Sequence, residues 1–140
     1  MGSTTTANSL NAATSSTSTT GQQVTGIAAT SASITGNTVA NLNNNYASTA
    51  TAGQIRGIVT TSGVNTITGN TVRDLSTTSA NINTSASQSV FGIAQSSATA
   101  GQTVSQNTVH SLANTAASAA VSVSGIYFAG PTSGTNVIAR

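Results

Sequence analysis

Cysteine, tryptophan, lysine and glutamate are absent from this 140-residue chain, and proline occurs once. Without cysteine there is neither a disulfide framework nor a thiolate metal site, and the redox compartment leaves no mark. The charged residues are Arg56, Arg73, Arg140 and Asp74, so a computed pI near 10.0 rests on very few groups. Three arginines spread along the chain cannot neutralise several phosphates on one face, and nucleic acid is not an expected partner. No run approaches the ~18 apolar residues of a membrane span, so membrane insertion is not expected either. Aromatic residues make up only 3% of the chain, which rules out a core built from packed rings. Met1-Gly2-Ser3 lacks the basic and apolar regions of a signal peptide; residues 1–4 read as an expression scar and disordered start.

What the chain has instead is small hydroxyls and a repeat. Thr supplies 27 residues and Ser 22. Four Gly-Ile pairs, at Gly26, Gly57, Gly92 and Gly125, follow one another at steps of 31, 35 and 33 residues. Three positions before each Ile stands another aliphatic residue: Val24, Ile55, Val90 and Val123. Three more columns follow: Ile34, Ile67, Val104 and Ile138; then Val39, Val72 and Val109; then Leu10, Leu42, Leu75 and Leu112. An amide column, Asn37, Asn70 and Asn107, precedes each Val by two residues. Variable length falls between the Leu and the next Gly-Ile, in stretches such as 76–89 and 113–122 that read as polar loops.

Apolar residues at three- and four-residue spacing over a dozen positions, the mark of a helix, do not occur. Short Val/Ile/Thr segments broken by Gly and Asn are the composition of strands and corners. The pattern predicts an all-β chain wound as a β-solenoid of about four coils of 32–37 residues. Like residues then stack on like at ~4.8 Å, and Asn37, Asn70 and Asn107 form an amide ladder along a corner. Residues 5–140 read as one such domain. Thr5 stands at the Asn position and Arg140 where Gly36, Gly69 and Gln106 stand, the phase expected of a segment of a longer array or of copies stacking end to end. Registered columns across the chain argue against a disordered Ser/Thr-rich stalk.

Gly26-Ile27 with Ile34, Asn37, Val39 and Leu42, and their equivalents in later coils, resemble the right-handed parallel β-helix repeats of the pectin-lyase-like superfamily, especially NosD-type repeats. The resemblance covers residues 5–140 and implies that fold in a secreted or cell-surface protein. It leaves function open, because the superfamily holds lyases, hydrolases, adhesins and spacers alike. The family's usual coil is shorter than this one.

Chemistry finds few candidates. Glycoside hydrolysis by the usual route needs two carboxylates, and the family's calcium-dependent eliminations need a cluster of acids; this chain has Asp74 alone. His110 and Asp74 fall on adjacent coils near Ser111, but without a Gly-x-Ser-x-Gly elbow the reading is a surface ion pair of Asp74 with Arg73 or His110. Neither a phosphate loop nor a metal site has the residues it needs, so no cofactor is expected. Thr38, Thr71 and Thr108 form one outward column and Thr35, Thr68 and Ser105 another, which raises ice binding as an alternative. Phe91 and Arg56, at the outward position before Gly-Ile, together with the column from Thr38 to Thr108, are a candidate contact surface; Phe128 reads as inward.

The expectation is a non-catalytic structural or adhesive solenoid segment of a larger secreted or cell-surface protein, with neighbouring coils, copies of itself or glycans as partners. The alternatives are a fibre subunit stacking end to end, the repeat part of a carbohydrate-active enzyme, and an ice-binding solenoid.

Overall fold

A computed structural model describes residues 3–6, 10–12, 22–46, 53–117 and 120–140. Met1 and Gly2 of the suggested scar lie outside them, as does the side chain of Leu10. Twelve strands follow in chain order: β1 Leu10–Ala12, β2 Val24–Ala29, β3 Ser33–Thr35, β4 Thr38–Asn44, β5 Ile55–Thr60, β6 Thr66–Thr68, β7 Thr71–Thr77, β8 Val90–Gln95, β9 Thr103–Ser105, β10 Thr108–Asn114, β11 Val123–Phe128 and β12 Val137–Ala139. They form three four-stranded sheets, ordered β1-β4-β7-β10, β2-β5-β8-β11 and β3-β6-β9-β12. We name these sheets A, B and C. Every pairing is parallel, and the order A, B, C recurs along the chain, so the fold is a parallel β-solenoid. Four strands per sheet are joined by three coil-to-coil steps, about three turns rather than the four units counted from the sequence.

The columns are in register. Val39, Val72 and Val109 pair in succession, as do Leu42, Leu75 and Leu112, and Ile27, Ile58, Ile93 and Ile126. Their side chains converge from the three sheets on a core in which Val39, Leu42, Ile58, Ile67, Val72 and Leu75 are fully buried. Each such side chain contributes about 1.5–3 kcal/mol of transfer free energy before conformational entropy is set against it.

One feature of the spacing requires explanation. Side chains alternate along a strand, so residues three apart should face opposite ways, yet Val39 and Leu42 are both buried. The backbone resolves this with a left-handed residue between them: Asn41 at φ 57°, Asp74 at 54° and Ser111 at 55°. Each adds one residue to the alternation at the same place in its strand, so the strands of sheet A stay in register while the following Leu turns back to the core. Asn and Asp tolerate that region better than most residues, which suits two of the three positions.

In sheet B the Gly of Gly-Ile has a packing role. A Cβ on Gly57 would lie 2.3 Å from Val72 Cγ1 and 2.5 Å from the Gly92 carbonyl oxygen. Sheet B therefore passes too close to the sheet A side chains, and to the next coil, for anything larger. The stretches 76–89 and 113–122 are less loop-like than their composition suggests. Ser76-Thr77 and Ala113-Asn114 continue β7 and β10 in register, and Ser79, Asn81, Gln88 and Ser89 are buried. Strand pairing with the neighbouring coil sets the backbone at residues 76–77 and 113–114 despite the polar side chains.

Candidate functional site

The amide column at the corner from sheet C to sheet A is a continuous ladder. Asn37 Nδ2 donates to Asn70 Oδ1 at 3.1 Å, and Asn70 Nδ2 donates to Asn107 Oδ1 at 3.0 Å. The same oxygens accept the backbone N–H of the Asn one coil before, at 2.9 Å in both cases. Asn70 Nδ2 also donates to the Ile34 carbonyl at 2.8 Å, and Asn107 Nδ2 to that of Ile67 at 2.8 Å. One side chain thus satisfies donors and acceptors that a sharp bend takes out of the sheet ladder. The residue before each Asn is left-handed, Gly36 and Gly69 at φ 66° and Gln106 at 55°, which makes the bend.

The corner between sheets B and C uses the same device, and the corner between A and B a local version of it; the sequence reading passed over both. Between sheets B and C, Asn65 Nδ2 donates to Gln102 Oε1 at 3.1 Å, and Asn136 Oδ1 accepts the Gln102 backbone N–H at 3.1 Å. Between A and B, Asn44, Thr77 and Asn114 stand in register, and each accepts the backbone N–H two residues on. The signal was present: an amide stands two residues before Ile67, Val104 and Ile138. It was hidden by Ala32 in the first coil and by the change from Asn to Gln.

The candidate contact residues are dispersed. Thr38, Thr71 and Thr108 lie in register in sheet A, while Thr35, Thr68 and Ser105 lie in sheet C, so the two hydroxyl columns belong to different faces. Thr38 and Thr71 are half-buried and Thr108 is exposed. Asp74 is ion-paired with Arg73, whose guanidinium also donates to the Thr4 carbonyl. His110 sits in register with Arg73, and its Nδ1 lies 2.9 Å from Ser111 Oγ on the exposed surface. Asp74 and His110 therefore have separate partners.

Phe91 corrects the reading of an exposed contact. It leaves the core side of sheet B as expected but is only 1% exposed, because the outer face carries its own apolar cluster of Val59, Phe91 and Ala94, with Tyr127 packed against it. The Phe91 and Tyr127 rings lie 5.5 Å apart, tilted by 60°. Arg56, in register with Phe91, is half-buried and donates through Nη2 to Gln23 Oε1. Phe128 packs against the core, as its spacing from Ile126 suggests.

At the C-terminal end of the described stack, strand edges and core columns are left open. At the C-terminal end β10, β11 and β12 each pair on one side only, and Val123, Ile126, Val137 and Ile138 are 44%, 42%, 40% and 56% exposed. Val123, Ile126 and Ile138 occupy core columns, while Val137 continues the outward row of Ser33, Thr66 and Thr103. A Cβ on Gly125 would meet only Val109 Cγ1, at 3.9 Å, where the equivalent atom on Gly92 would meet three neighbours within 3.3 Å. The last described coil thus lacks the neighbour that covers the same columns elsewhere in the stack.

No protein-family description, curated protein or solved structure matches this chain.

Proposed function

We propose that the chain is a non-catalytic structural or adhesive β-solenoid segment of a larger secreted or cell-surface protein, and that as an isolated chain it stacks end to end with a second copy of itself. The observation that carries the reading is the open end: aliphatic core columns exposed beside unpaired strands. Three features favour a copy of this chain. Strands recur as A, B, C, so β1, β2 and β3 of a second copy follow β10, β11 and β12 in phase. Continuing the columns would set Val24 over Val123, Ile27 over Ile126 and Ile34 over Ile138. Among the described residues β2 and β3 also pair on one side only, and neither strand carries a charged residue. Edges of this kind template further pairing unless something covers them.

The non-catalytic part rests on the scarcity of acids, since the single carboxylate side chain is held by Arg73. The relationship to NosD-type repeats and a secreted or cell-surface location belong to the same proposal. A rigid, nearly uncharged, hydroxyl-rich rod suits a spacer there. Electron microscopy at rising protein concentration tests the joining. Rods that lengthen with concentration support it; discrete particles at every concentration, or dimers that never grow, overturn it.

A further inference from the structure

Sheet B presents one outer patch unlike the rest of the array. Along one outward row the residues are Thr25, Arg56, Phe91 and Ser124, and along the other Ala28, Val59, Ala94 and Tyr127. At their centre is a cavity of about 70 Å³ whose walls include Arg56, Val59, Thr61, Phe91, Ser96 and Tyr127. The combination is one guanidinium, two rings, two hydroxyls and an aliphatic floor. These residues come from three successive coils, and the combination does not recur among the described residues.

Arg56 lacks a counter-ion of its own. Asp74 is the only carboxylate side chain in the sequence, and it lies in sheet A paired with Arg73. Arg56 Nη2 is engaged by the Gln23 amide oxygen, but Nε is buried and has no hydrogen-bond partner among the described residues. Burial also lowers its pKa from the ordinary guanidinium value, because the surroundings take water from the charge without replacing it. A buried donor on a cation, left unmatched, is costly, and a guanidinium is most strongly satisfied by a planar anion. The neighbouring rings and methyl groups favour an apolar body beside that anion.

From this geometry we infer a binding site for the carboxylate of a small organic acid, with the anion against Arg56 and its ring or short chain against Phe91 and Tyr127. Thr61 and Ser96 supply hydroxyls at the rim. A cavity of this size takes one small group, not a polymer. The site faces outward from sheet B and borders the open end only through Tyr127 on β11, so Arg56 and Phe91 are reached whether or not copies join.

Ligand-observed saturation-transfer NMR, which works for single chains and long assemblies alike, tests it with benzoate and its neutral counterpart benzamide. The expected result is a saturable benzoate signal, displaced by propionate, with benzamide at least tenfold weaker. Arg56→Gln weakens benzoate at least tenfold, and Arg73→Gln leaves it unchanged. Should the glutamine variant not fold, Arg56→Lys keeps the charge but removes the Nε donor, and the same tenfold loss is expected; Tyr127→Ser reduces benzoate more than propionate. Equal signals from benzoate and benzamide, Arg56 variants that bind like the parent, or an equal loss in Arg73→Gln would overturn the inference.

Discussion

Ile93 and Ile126 stand in one column, in register, each following a Gly in the same motif, yet Ile93 is fully buried and Ile126 is 42% exposed. Val104 and Ile138 repeat the contrast at 1% and 56%. The residues are equivalent; the surroundings are not. In this fold a side chain's burial is supplied by the coils on either side of it, so local sequence sets which way a residue points, and stacking sets whether it leaves water.

That contrast can be broken by substitution, and the glycines offer the largest effect. Gly57→Val drives a side chain into Val72 and the Gly92 carbonyl, and should cost about 3 kcal/mol or more. Gly125→Val meets open space and should leave the stability of the single chain within about 0.5 kcal/mol. Thermal melts of the two variants followed by circular dichroism check this pair. Next come the aliphatic columns: Ile67→Ala should destabilise by about 2–5 kcal/mol, Ile138→Ala by less than about 1 kcal/mol, as urea titrations would show. The amide ladder is expected to give the smallest effect. Asn70 is 1% exposed and satisfies the Ile34 carbonyl and the Asn37 N–H, so Asn70→Ala should cost about 1–3 kcal/mol. Asn37, exposed at the first coil, should cost under about 1 kcal/mol when changed to Ala, measured by the same titration.

Much of the fold was legible because a solenoid writes itself as columns. The Gly-Ile pairs, the aliphatic positions and the Asn between Ile and Val are each one line of stacked residues. Two things were harder to read. The three-residue step from Val39 to Leu42 conflicts with strand alternation, and the left-handed Asn41, Asp74 and Ser111 that reconcile them share no residue type. Phe91 was misplaced for a related reason. Alternation gives its direction, but its burial depends on a separate row made by Ala94 on its own strand and by Val59 and Tyr127 on the two neighbouring strands. The cavity beside Arg56 was beyond sequence for the same cause, since Ser96 and Tyr127 sit 40 and 71 positions from it. What the chain brings together across coils, spacing within one coil does not announce.

Sedimentation velocity over a concentration series, run on the parent and on Gly125→Val, bears most directly on the claim that the last coil is an unfilled surface for the next. The account predicts a parent that grows with concentration and a variant that stays a single chain with an unchanged melting temperature, since the added side chain obstructs only an incoming coil. A parent that remains one chain throughout, or a variant that grows as the parent does, would contradict it.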